Sequence, residues 1–91
     1  VVAQVLGKQL LRSGTSVGAH FREATRSRSD AEFISKVAGA LQELDETVYW
    51  LELLAEGEVI NSTRLGDLME EADQLIAILV TCVRNAKSRC E

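Results

Sequence analysis

The chain predicts an all-α fold, and three observations carry that expectation. No proline occurs among the 91 residues, so nothing removes a backbone N–H or forces a kink. Three long stretches, about residues 2–27, 30–56 and 62–87, keep their apolar residues in phase with the helical turn. Helix punctuation falls between them, a capping signal at Ser29 and a glycine at Gly57. With 46 % apolar and 26 % charged residues, the chain has ordinary globular composition and reads as one domain over residues 1–91.

The first helix is organised around Gln9–Ala24, QLLRSGTSVGAHFREA. At 100° per residue, Gly14 and Gly18 fall within about 20° of Gly7, and Leu11, Phe21 and Thr25 within about 40°. Each glycine costs a helix about 1 kcal/mol relative to alanine, so three on one face mark a place where a neighbour approaches the backbone. The expectation is therefore that the other two helices pack on this one, with Val2, Leu6, Leu10, Val17 and Ala24 widening the buried sector. The competing arrangement breaks the stretch into two short helices at Ser13-Gly14-Thr15-Ser16. On the other side Lys8, Arg12, Arg22 and Arg26 form a basic stripe. It either pairs with acids on a neighbouring element or tracks phosphate.

The second helix opens on Ser29-Asp30-Ala31-Glu32, a capping box in which serine accepts from the third helical N–H and glutamate reaches back. Phe33, Val37, Ala40, Leu44, Val48 and Leu51 form its apolar stripe. Glu43 and Glu46 lie along one edge, where they can face the basic stripe. Tyr49, Trp50 and Leu53 lie outside the stripe and are candidates for a subunit or partner contact, or equally for packing on a segment upstream of this chain. Gly57 caps this helix and a short turn runs through Ile60. Asn61, Ser62 and Thr63 each offer an N-cap for the third helix, whose broad apolar face runs from Leu65 to Ala86. Arg84, Lys87 and Arg89 suit the negative end of its dipole.

Charge is uneven along the chain. Residues 1–28 carry a net +4, residues 29–57 a net −6 and residues 58–91 a net −2, for −4 overall. Only four aromatic residues are present, too few for a base-stacking surface. Cys82 and Cys90 on one helix stand roughly 12 Å apart along the axis, beyond disulfide reach. Two free thiols fit a reducing cytoplasm. No apolar run is long enough to span a membrane and no signal peptide is recognisable, so no membrane partner is expected. Because the chain opens on Val1, a segment upstream of it is expected in the native protein.

Chemistry-bearing constellations are missing. His20 is the only histidine, and His20 with Glu23 is the reverse of the Glu-x-x-His spacing used in bundle metal sites. Ser13 and Ser16 point in different directions and are better explained by small size and bonds to the preceding turn's carbonyls. Gly14-x-x-x-Gly18 lacks the Lys and Ser/Thr of a phosphate loop. The expectation is a protein without catalytic residues, metal or cofactor, whose work is assembly and binding.

The assembled segments resemble a known family. QLLRSGTSVGAHFREA, Ser29-Asp30-x-x-Phe33-Ile34-x-Lys36 and Glu46-Thr47-x-Tyr49-Trp50-Leu51-x-Leu53-Leu54 are similar to the four-helix-bundle proteins of the 23S ribosomal RNA intervening-sequence type. That resemblance implies an up-down antiparallel bundle, a bacterial homo-oligomer assembled as a pentamer, and a further helix ahead of QLLRSG. A related branch, the accessory proteins of diversity-generating retroelements, implies a reverse transcriptase and nucleic acid as partners. This chain departs from the family pattern at His20, where asparagine is usual, and at Gln42, where lysine is usual. It is also acidic, whereas the retroelement branch is basic. Two expectations follow. One is a homo-oligomeric scaffold that binds RNA or DNA through Lys8, Arg12, Arg22 and Arg26, with Gly14 and Gly18 at a close contact. The other is an adaptor that docks a protein partner through Tyr49, Trp50 and Leu53.

Overall fold

A computed structural model describes residues 2–57 and 62–90, and three helices account for nearly all of them: α1 (Val2–Thr25), α2 (Asp30–Glu56) and α3 (Ser62–Cys90). Helix α1 is continuous through Ser13-Gly14-Thr15-Ser16. It stops two residues before the expected end. The Ser27 hydroxyl and backbone N–H both turn back to the Ala24 carbonyl, at 2.7 and 3.1 Å, which closes the last turn. Helix α3 runs three residues past the expected end. The turn through Ile60 and the cap ahead of α3 fall on or beside residues 58–61, outside the described residues.

Ser29 caps α2 as its sequence requires. Its backbone is extended (φ −153°, ψ 159°) and its hydroxyl accepts from the Glu32 N–H at 3.1 Å. The return half of the box differs in detail: Glu32 accepts from the Arg28 N–H at 3.4 Å rather than from that of Ser29. Ser29→Ala is expected to cost about 1 kcal/mol in urea unfolding, and Ser29→Gly only a few tenths. At the other end the Gly57 N–H reaches the Leu53 carbonyl at 3.0 Å.

The helices alternate in direction. Arg12 meets Glu46, Ser13 meets Thr47, His20 meets Gly39 and Glu23 meets Lys36, so numbers rising along α1 fall along α2. Arg89 of α3 reaches Asp30 at one end, and Leu65 clusters with Leu51 and Leu54 at the other. The resulting particle is elongated, 46 × 21 × 14 Å, with a Ser29 end and a Gly57 end.

The central helix is α2, not α1. Both α1 and α3 pack along it, and among the described residues no Cα of α1 lies within 8 Å of one of α3. This corrects the expectation that the glycine-bearing helix is the one the others pack on. Burial explains why. The row of α1 that meets α2 is Leu6, Leu10, Ser13, Val17, His20 and Ala24, spaced four and three residues alternately. That row carries the leucines and the valine, hence the apolar area that drives packing. The row one residue further on, Gly7, Leu11, Gly14, Gly18, Phe21 and Thr25, is exposed throughout.

The core follows from this layout. Val37, Ala40 and Leu44 of α2 close over Ala24 of α1 and Leu79 of α3, all nearly inaccessible. A second cluster at the Gly57 end joins Leu51, Leu54 and Leu65, with Leu6, Leu10 and Met69 packed against it.

Candidate assembly groove and basic surface

The exposed row of α1 forms one wall of a groove. Helices α1 and α3 both lie on α2 but stay apart, so their facing flanks and the floor between them remain open. Gly7, Leu11 and Gly14 line one wall, Leu68 and Leu75 the other, and Thr47 and Leu51 the floor, around some 530 Å³. The walls are apolar and unburied: Leu11 is 69 % exposed, Leu68 48 % and Leu75 39 %. Further toward the Ser29 end, Phe21 on α1 and Ile78 on α3 are exposed as well. A Cβ placed on Gly7, Gly14 or Gly18 would meet nothing within 4 Å. The three glycines thus keep one side of α1 low, and none of the described residues uses the space.

Gly39 behaves in the opposite way. A Cβ there would lie 2.9 Å from His20 Nδ1, 3.0 Å from Cε1 and 3.4 Å from Cγ. The imidazole of α1 sits in the notch that the missing side chain leaves on α2. Its Nδ1 is buried without a hydrogen-bond partner. His20 is therefore an interhelical packing residue.

Arg12 is spent within the fold. Its guanidinium donates to Glu46 and, at 3.4 Å, to Glu43 of α2, and through Nε to Gln9 at 3.2 Å. The hydrogen bond to Glu46 raises the Arg12 pKa above its ordinary value, and the charges of both carboxylates add to that. Trp50 joins the same cluster, its indole N–H donating to Glu46 at 3.4 Å. Beneath it Ser13, fully buried, donates to the Leu10 carbonyl at 3.2 Å. The Thr47 hydroxyl lies 2.9 Å from Ser13 Oγ and 2.8 Å from the Glu43 carbonyl, and serves one at a time.

The rest of the basic stripe is different. Lys8, Arg22 and Arg26 are exposed, and among the described residues their side chains pair with no acid. Glu23, which interrupts the stripe, is taken by Lys36 at 2.8 Å. That hydrogen bond and the Lys36 charge lower the Glu23 pKa. A carboxyl with a depressed folded-state pKa adds stability above its unfolded value and loses it as pH falls through the folded one. Both side chains are well exposed, so screening keeps the effect small.

Of the candidate contact residues on α2, Tyr49 is 52 % exposed, whereas Trp50 and Leu53 are half-buried. The Tyr49 and Trp50 rings stand 5.1 Å apart and tilted. Val2 and Val5 of α1 are exposed at the same end of the bundle. Cys82 is a half-buried free thiol. Among the described residues no three His, Cys, Asp or Glu side chains converge as metal ligands would. No helix there is long and apolar enough to cross a membrane.

The fold brings Gly14 together with Leu68 and Leu75, and Arg12 together with Glu43, Glu46 and Trp50. It separates Arg12 in role from Lys8, Arg22 and Arg26. Sequence reasoning saw the apolar residues of α3 as one broad face. They are two rows: Leu65, Ala72 and Leu79 pack on α2, and Leu68, Leu75 and Ile78 stay exposed. The signal was present, since Leu65, Ala72 and Leu79 recur every seven residues and so do Leu68 and Leu75, the spacing of a heptad.

Comparison with known proteins agrees with this architecture. The chain is similar to a protein of unknown function from the S23 ribosomal protein family of Bacteroides thetaiotaomicron, whose crystal structure is known. The TM-score is 0.84 at 42 % identity, over 87 % of this chain and 73 % of that one. No curated protein matches the chain. The profile of the family described as 23S rRNA-intervening sequence protein matches residues 3–81. The chain belongs to the 23S rRNA-intervening sequence protein family.

Proposed function

We propose that the chain is a non-catalytic, homo-oligomeric helical scaffold, and that a helix from another copy lies in the groove between α1 and α3. The observation that carries this is the open glycine row. Three glycines inside one helix cost about 1 kcal/mol each, and among the described residues no atom comes near enough to use the space they leave. The leucines beside them stand exposed on both walls. A helix laid there would bury Leu11, Leu68 and Leu75 and come close to the α1 backbone. Tyr49 of α2 and Val2 and Val5 of α1, none of which lines the groove, offer exposed apolar area for a second contact. Two unlike surfaces favour a head-to-tail contact, which closes into a ring, over a two-fold dimer. The pentamer that the family resemblance implies is one such ring. Sedimentation equilibrium tests the reading: a mass several times 10.0 kDa is expected, and a monomer at every concentration would defeat it.

A second reading, RNA or DNA binding, is favoured by the cations Lys8, Arg22 and Arg26, whose side chains pair with no acid among the described residues. Arg12 leaves that set because Glu43 and Glu46 hold it. Retention of RNA that fades with added salt supports this reading, and no retention at low salt removes it. Protein docking through Tyr49, Trp50 and Leu53 has less support, since Trp50 is half-buried and bonded to Glu46.

A further inference from the structure

Rearranging the chain's charges by position in the bundle, rather than by order along the sequence, separates them into two ends. Because α1 and α3 run in the same direction, their C-terminal segments lie together beside the start of α2. Arg22, Arg26 and Arg28 thereby share the Ser29 end with Arg84 and Lys87 of α3. All five are exposed, and among the described residues none of their side chains pairs with an acid. Among the described residues the acids at that end are occupied: Glu23 by Lys36, Asp30 by Arg89 at 3.1 Å, and Glu32 by the Arg28 backbone. The opposite half carries Asp45, Glu52, Glu56, Glu70 and Asp73, none of which pairs with a base among the described residues. A molecule 46 Å long is thus basic at one end and acidic over the remainder.

Helix dipoles account for part of this. Arg22 lies in the last turn of α1, and Lys87 and Arg89 lie in the last turn of α3, where cations are favoured. They do not account for Arg26 and Arg28, which lie beyond α1, or for Arg84, which precedes the last turn of α3. Four of the five unpaired cations are arginine, whose planar fork matches phosphate oxygens in pairs. The acidic remainder would repel a polyanion, so contact is confined to this end. Tyr49 and Trp50 lie in the other half and Phe33 packs against the core, so Phe21 is the one exposed ring toward the basic end among the described residues, too few to stack successive bases.

We infer that the Ser29 end, through Arg22, Arg26, Arg28, Arg84 and Lys87, binds the sugar–phosphate backbone of a nucleic-acid duplex without reading its bases. The inference rests on the nucleic-acid reading above and relocates its site: α3 contributes, and Lys8, toward the other end of α1, does not.

The test is fluorescence anisotropy of a short labelled RNA duplex against salt. The wild-type chain is expected to bind with a log–log slope of roughly −4, from about −0.9 per phosphate contacted. Arg84→Gln with Lys87→Gln is expected to lower the slope by about 2 and weaken binding equally for a duplex of scrambled sequence, while Lys8→Gln changes neither. The substituted positions are exposed, so circular dichroism should report unchanged helix in each variant. Loss of binding on Lys8→Gln with the Arg84/Lys87 variant unaffected overturns the end-face site and leaves the nucleic-acid reading standing. No binding by the wild-type chain at low salt overturns both. Equal competition by poly-glutamate overturns the inference in favour of an acidic protein partner.

Discussion

Leu79→Ala is expected to destabilise the chain by about 3 kcal/mol, a large part of what a small domain has. Leu79 is 1 % exposed and sits where α3 meets Val37, Ala40 and Leu44 of α2. Removing its branched end costs the transfer free energy and leaves a cavity that three rigid helices cannot close. The neighbouring Ile78 is 58 % exposed, and Ile78→Ala should change the stability of the separated chain by less than about 0.5 kcal/mol. Chemical denaturation of both, at one protein concentration low enough to separate the copies, checks the contrast. Equal losses would mean that the two rows of α3 have been assigned to the wrong faces.

The next largest effect is expected at Gly39. Valine there would drive its Cβ and methyls into the imidazole of His20, which already stands 2.9 Å from the position of a Cβ. Overpacking of this kind costs about 2 kcal/mol, more than the helix propensity gained by removing a glycine. His20→Ala empties the same space. The double variant should therefore be at least about 1 kcal/mol more stable than the sum of the single changes allows. Strict additivity in a double-mutant cycle would show that the imidazole is not what occupies the notch.

Much of this architecture was legible in the residues, and the points that were not have physical reasons. Ser29 and Gly57 punctuated the chain because caps act through one or two atoms of nearby backbone, a local effect that sequence expresses directly. The continuity of α1 was legible because its apolar rows keep phase across Gly14 and Gly18. The identity of the central helix was not. On α1 the packed row and the open row differ by one residue, about 100° of rotation, and both are in phase. Composition pointed to the glycines, whereas burial followed the leucines.

The candidate site divides in the same way. Arg12 and the carboxylates Glu43 and Glu46 were readable as complementary edges, and they meet. That Lys8, Arg22 and Arg26 meet no acid among the described residues depends on which side chains lie across from them, which is a property of register rather than of sequence. The contribution of Arg28 and Arg84 was hidden by summing charge along the chain. Antiparallel folding places residues from opposite ends of the sequence side by side.

Gly14→Leu combined with Gly18→Leu tests the scaffold most directly. Neither position has any neighbour within 4 Å of a Cβ, so the separated chain has room for both side chains and gains helix propensity of about 1 kcal/mol at each. A side chain at Gly14, which lines the groove, and at Gly18, one turn further along the same row, would obstruct the helix proposed to lie there. Light scattering paired with circular dichroism is the measurement. The account predicts a wild-type particle several times 10.0 kDa and a variant at 10.0 kDa whose helix content and melting temperature are equal or higher. A variant that keeps the wild-type mass would contradict it.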